Sequence, residues 1–140
     1  MQPTGLIDTG ALLALLNPRD RWHPACVEAF EALRLPLATT ATVLAELFHL
    51  VGGHPHNVQA AWRLLRSGAV TVLPIADADL AELERLMDRY ADRPMDFADA
   101  TLVHLAATHS LTTIFTVDHS DFETYRIPGG RSFRVVPDRL

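Results

Sequence analysis

Short apolar, β-prone runs alternate with segments of helical period along the whole chain, and no other feature limits the fold so tightly. Gly5 to Asp8, Leu35 to Thr39, Val70 to Ile75, Leu111 to Val117 and Phe133 to Val136 read as strands. Helices are expected at Thr9 to Leu16, Asp20 to about Leu33, Thr42 to Val51, Pro55 to just before Gly68, Asp77 to Tyr90 and Asp96 to His109. Asn17-Pro18, Gly52-Gly53 and Gly68 stop three of them, and Gly129-Gly130 marks a turn. Strands separated by helices pair in parallel and carry helices on both faces. The expectation is an α/β fold, a three-layer α/β/α sandwich with a central, mainly parallel sheet. At 140 residues it forms one domain, 1–140. Functional residues of such sheets collect beyond the carboxyl ends of the strands.

Composition removes several function classes. A single cysteine, Cys26, forms no internal disulfide and points to a reducing compartment. The start "MQPTGLIDTG" carries no basic, apolar leader, and no apolar run is long enough to cross a bilayer, so a cytoplasmic location without membrane contact is expected. The net charge of −5 argues against a general nucleic-acid binder. All 12 basic residues are arginine, and the absence of lysine matters below.

The acids fall at one address. Asp8 ends the first strand, and Asp118 ends "LTTIFTV". Asp99 lies in the first turn of "DFADATLVHLA", and Glu46 stands among Val43, Leu44, Leu47, Phe48 and Leu50 on a helix that starts just after a strand. Asp96 reads as the N-cap of the Asp99 helix, and Asp118 alone is also compatible with a turn. Four carboxylates on one sheet edge repel one another unless a cation neutralises them, and an all-oxygen set suits magnesium or manganese. Asp8-Thr9-Gly10 matches the aspartic-protease triplet, but that chemistry belongs to an all-β fold, and here a helix follows. A magnesium-binding receiver-type regulatory domain has the right size and sheet, but it requires a lysine that this chain lacks.

Taken together, "LIDTGALLALLN", "VLAELFHL", "DFADATLVHLA" and "TVDHSDF" give the chain a resemblance to PIN-domain ribonucleases of the VapC type, the toxins of toxin–antitoxin pairs. The ending "GGRSFRVVP" resembles the family's last turn and strand. The resemblance implies that Asp8 and Asp99 are the principal metal ligands. It implies that Glu46 and Asp118 complete the catalytic set directly or through water, and that Thr116 hydrogen-bonds in the pocket, with Asp96 and Asp121 auxiliary. It implies Mg²⁺ (or Mn²⁺) as cofactor and hydrolysis of single-stranded regions of RNA; RNA as substrate comes from the resemblance alone. It further implies a cognate antitoxin partner and a homodimer, with the helices within 42–66 as candidate surfaces. The family usually has serine where this chain has Gly10, so one hydroxyl near the metal is missing. A non-catalytic PIN-like partner-binding protein is the rival reading, and the full acid set argues against it.

Other features read as ordinary structure. His54 and His56 lack a third ligand for zinc, His104 is compatible with the surface, and Cys26 falls on an apolar stripe. Trp22 and Trp62 are expected to pack. Arg19, Arg21, Arg63, Arg66, Arg126, Arg131 and Arg134 are available to line an RNA path, although for each a solvated surface is the simpler expectation.

Overall fold

Apolar β-prone pairs and triplets build the centre of the molecule. The computed structural model describes residues 2–93 and 95–140. Strands β1 (Leu6–Ile7), β2 (Leu37–Thr39), β3 (Val70–Val72), β4 (Thr113–Phe115) and β7 (Arg134–Val136) form a five-stranded sheet in the order β3-β2-β1-β4-β7. Every pairing in it is parallel. Strands buried on both faces need no polar alternation, and Leu6, Ile7, Leu37, Ala38, Ile114 and Phe115 are all fully buried. A small antiparallel hairpin, β5 (Arg126–Ile127) with β6 (Arg131–Ser132), turns through Gly129 and Gly130. Both glycines adopt positive φ, +105° and +90°, which an L side chain resists.

Among the described residues, seven α-helices accompany the sheet: α1 (Thr9–Leu16), α2 (His23–Ala32), α3 (Ala41–Val51), α4 (Pro55–Arg66), α5 (Leu80–Arg89), α6 (Phe97–Thr108) and α7 (His119–Thr124). α6 is buried almost all round, with Ala98 and every residue from Ala100 to Ala106 inaccessible. Such a helix has no polar stripe to read in the sequence, and His104, for which a surface position was only one option, is 6% exposed.

Other boundaries differ for local reasons. Asp20 does not cap α2; its carboxylate accepts from the Trp22 amide at 2.8 Å, and the helix starts at His23 with Pro24 in its first turn. Asp77 to Asp79 forms a 3-10 turn ahead of α5, because Asp79 folds back to accept from the Ala76 amide at 2.7 Å. The stripe on α5 narrows to Leu83 and Leu86, leaving Leu80 and Met87 exposed. α7 was not expected from the sequence at all, since six residues are too few for a period to show.

Candidate acidic site at the sheet's carboxyl edge

The chain leaves β1 toward β2 on one side, while β4 lies on the other. The strand order therefore changes direction between β1 and β4, and a crevice opens at their carboxyl ends. Asp8 follows β1 directly. Its amide donates to the Phe115 carbonyl at 3.2 Å, and Oδ1 accepts from the Ala11 amide at 3.0 Å, so it also caps α1. The buried Thr116 hydroxyl donates to Asp8 Oδ2 and accepts from the Asp118 amide at 2.9 Å, tying the two strand ends together. Asp8 is 8% exposed. Burial pushes its carboxyl up to about 6, with help from the Asp118 and Glu46 charges and against the Thr116 and Ala11 hydrogen bonds.

Asp99 comes to the same rim from α6. Asp96 is the N-cap and accepts from the Asp99 amide at 2.8 Å. The Tyr125 phenol donates to Asp99 Oδ2 at 3.0 Å. Burial raises Asp99 to about 8, and the Asp96, Asp8 and Asp121 charges add to it. Burial and the neighbouring Asp99 hold the Tyr125 phenol well above its usual range, so it remains a donor. A buried pair of hydroxyls, Thr40 and Thr101 at 3.0 Å, fixes α3 against α6 and so sets Glu46 relative to Asp99.

Glu46 is exposed and accepts from the Thr9 hydroxyl at 3.1 Å. Asp118 is the N-cap of α7 and accepts from the Asp121 amide at 3.1 Å. Partial desolvation and a bond to the Asp121 side chain raise its pKa. Asp121 carries a counter-charge: Arg93 Nε donates to it at 3.1 Å, while the Arg93 Nη atoms reach Thr124 at 2.7 Å and Ser120 at 2.5 Å. Arg93 thus clamps the short helix whose first residue follows Asp118.

The seven residues singled out in the sequence occupy one rim but not one tight knot. Asp8, Thr116 and Asp118 are linked by hydrogen bonds, as are Asp96 with Asp99 and Asp118 with Asp121. Asp8 couples the two halves, because its charge reaches Asp99 and it feels Asp118 and Glu46. Among the described residues, no three His, Cys, Asp or Glu side chains close around a single point. Sequence reasoning missed Tyr125, Arg93 and Thr9. The only signal for Tyr125 was an aromatic residue with a polar tip shortly after the last acidic block.

Gly10 has a steric reason. A Cβ there would meet Val117 Cγ2 at 2.9 Å and lie 3.9 Å from Asp8 Oδ1. Valine is stiff at χ1 and yields little. Gly10→Ser is therefore expected to cost about 1–2 kcal/mol, with Gly10→Ser/Val117→Ala recovering most of it. Denaturant midpoints of the two variants check this; an unchanged midpoint in the single variant contradicts it.

Residues read as structural stay so. Cys26 is buried, and desolvation pushes its thiol to about 12, so it is no nucleophile. Trp22 stacks on His119 with ring centroids 5.2 Å apart. The Arg126 guanidinium donates to the carbonyls of Glu123, Thr124 and Tyr125 and closes the end of α7.

A parallel sheet between helix layers, with one buried carboxylate, Asp8, and further mutually repelling acids at its switch point, defines an α/β protein with an acidic rim site. A PIN domain model matches residues 5–127, and the chain belongs to the PIN domain family. It is 34% identical over 135 residues to Ribonuclease VapC26 of Mycobacterium tuberculosis, covering 94% of this chain and 99% of that one. Among solved structures, Mycobacterium tuberculosis VapC20, described as a sarcin–ricin loop cleaving toxin, superposes with a TM-score of 0.73 at 22% identity, over 81% of this chain and 89% of that one. A toxin–antitoxin complex from Klebsiella pneumoniae gives 0.70 at 22% identity, over 97% and 99% of the two chains. These two likenesses show the fold. Among the described residues, no helix is long and apolar enough to cross a membrane.

Proposed function

We propose that residues 1–140 form one divalent-metal-dependent endoribonuclease domain that acts as the toxin of a toxin–antitoxin pair. One observation carries this reading: Asp8 and Asp99, on different elements, are held at the switch point with carboxyls raised to about 6 and about 8. Desolvated acids that face one another across a crevice, each with a specific hydrogen-bond partner, are a signal of a functional site. The homology to a protein named Ribonuclease VapC26 supports RNA as the substrate.

The donor chemistry fits Mg²⁺ or Mn²⁺. Magnesium is held by one or two carboxylates and completes its shell with water and substrate phosphate, so an open rim suits it better than a closed cage. Asp8 and Asp99 would hold the ion, with Glu46 and Asp118 flanking it. Bound there, such an ion would supply Lewis-acid chemistry: a lowered pKa for water and neutralisation of charge on phosphate oxygens. The chain's own residues do the remaining work. Thr116 and Ala11 fix both oxygens of Asp8. Tyr125 fixes Oδ2 of Asp99, and Asp96 holds its backbone. Glu46, exposed and steadied by Thr9, is placed to take a proton from the attacking water. Arg93 pairs with Asp121 and also offsets part of the charge around Asp118.

The antitoxin partner, a homodimer and a cytoplasmic location belong to the same reading. The outer face of α3 and α4, where Leu50 and Trp62 are both more than half exposed, is a suitable apolar surface for such contacts. Incubating purified protein with a mixed RNA pool, with EDTA or with Mg²⁺ or Mn²⁺, tests the activity. Cutting only with metal supports it. RNA left intact under all conditions returns the chain to the non-catalytic partner-binding reading.

A further inference from the structure

A second cleft opens beside the acidic rim. It measures about 560 Å³ and is lined by Arg21, Trp22, Val117 to Ser120, Arg139 and Leu140. Asp118 is in its wall, so the cleft and the acid site share a border. Its aromatic wall is the Trp22 ring, backed by the buried His119. Trp22 and His119 stack at an interplanar angle of 27°, and the buried His119 ring is held by Nε2 against the Pro137 carbonyl at 2.6 Å. Arg21 stands over the Trp22 ring, with Cζ 5.9 Å from its centroid. Among the described residues, Arg21 has no acid within ion-pair distance. Arg139, on another segment, pairs with Glu123 at 2.7 Å, and both side chains are at least half exposed.

In a chain of net charge −5, Arg21, with no acid partner among the described residues, and the exposed Arg139 stand on one cleft beside a carboxylate site, an arrangement suited to a passing anion. The Trp22 ring beside Arg21 adds an aromatic surface for the strand. We propose that this cleft is the subsite for the nucleotide next to the cut, with Arg21 and Arg139 gripping the backbone of single-stranded RNA and the Trp22–His119 pair supporting the strand. The proposal rests on the nuclease reading above and adds the direction in which the strand leaves the acid site. Glu123 acts as a placeholder: it holds the Arg139 guanidinium until a phosphate competes for it, and that pairing holds the Glu123 carboxyl below its usual range.

The test is fluorescence anisotropy of a labelled single-stranded RNA oligonucleotide in the Asp8→Asn background, over a salt series, together with KM and kcat in the otherwise native protein. Arg21→Gln and Arg139→Gln are each expected to weaken binding about fivefold and to lower the salt slope by about 0.7, raising KM with kcat little changed. Glu123→Gln breaks the same ion pair as Arg139→Gln but frees the guanidinium, so its affinity should rise about twofold. Opposite shifts in these two variants separate a phosphate contact from a merely structural ion pair. Arg85→Gln, whose partner is Glu82 on α5, is the control and should change nothing.

If the arginine variants bind like the parent while the native protein cuts RNA, the subsite is wrong and the nuclease reading stands. If binding depends on both arginines but no metal-dependent cutting occurs, the nuclease reading falls and takes the subsite beside a cut with it, leaving only an RNA-binding cleft. If the protein binds no RNA, both fall. An acidic peptide that displaces the strand and itself depends on Arg21 and Arg139 would make the cleft a protein-docking site and overturn the proposal.

Discussion

Asp99→Asn is expected to slow RNA cleavage by about 10²–10³-fold while making the metal-free protein more stable at pH 8. The two effects have one cause. Asp99 is desolvated and faces the Asp96, Asp8 and Asp121 charges, so its ionised form is costly without a cation. Asparagine keeps the volume and an oxygen for the Tyr125 phenol, which donates to Asp99 at 3.0 Å. It removes the charge that a cation needs and the folded chain resists. Relief of about 1–2 kcal/mol would raise the melting temperature by roughly 3–8 °C at this chain length. Scanning calorimetry in EDTA, beside single-turnover cleavage in Mg²⁺, reads both. A variant that melts lower and cuts normally would make Asp99 a structural acid.

Without metal, stability should fall as the pH rises from about 4 to about 8. The carboxyls of Asp8 and Asp99 go from an ordinary 3.8 to about 6 and about 8 in the folded protein. Between those values the folded state binds more protons than the unfolded state, so the slope of stability against pH is negative. The protonated forms contribute fully below the unfolded pKa, and that contribution is lost as pH passes through the folded values. A tenfold change in proton affinity is worth about 1.4 kcal/mol, but Asp99 is only partly buried and solvent screens it, so a combined loss of about 2–4 kcal/mol is the reasonable scale. Asp79 and Glu123, whose carboxyls are lowered by their partners, act below about pH 4.5 with the opposite sign and touch only the acid edge of this window. Urea midpoints at pH 5, 6.5 and 8 in EDTA should therefore decline, and saturating Mg²⁺ should flatten the decline because it favours the ionised acids. A flat profile in EDTA contradicts the electrostatics assigned to the rim.

Much of this was legible in the sequence because its carriers are periodic. Leu6-Ile7 before Asp8, and "LTTIFTV" before Asp118, announced strand ends, and strand ends of a parallel sheet share an address. Glu46 and Asp99 were found from their places on helices that follow crossovers. The remainder depended on contacts that no period encodes. Tyr125 reaches Asp99 across 26 residues, and Arg93 reaches Asp121 from the connection between α5 and α6. Thr40 meets Thr101 across 61 residues inside the core. The place of His104 was left open because a helix buried almost all round shows no face; its ring bonds Asp79 at 2.9 Å. Asp96 and Asp121, both auxiliary candidates, have evident local jobs: one caps α6, and the other is held by Arg93.

The central claim is that Asp8, buried, and Asp99, partly buried, are held near like charge in order to receive a divalent cation. Calorimetric titration of Mn²⁺ into metal-free protein at pH 7, repeated in two buffers of different ionisation enthalpy, tests it most directly. An acid raised to about 8 is mostly protonated at that pH, so each ion bound should release about one proton, and Asp99→Asn should abolish the release. Failure to bind Mn²⁺, or binding that releases no proton and is indifferent to Asp8→Asn and Asp99→Asn, would contradict it.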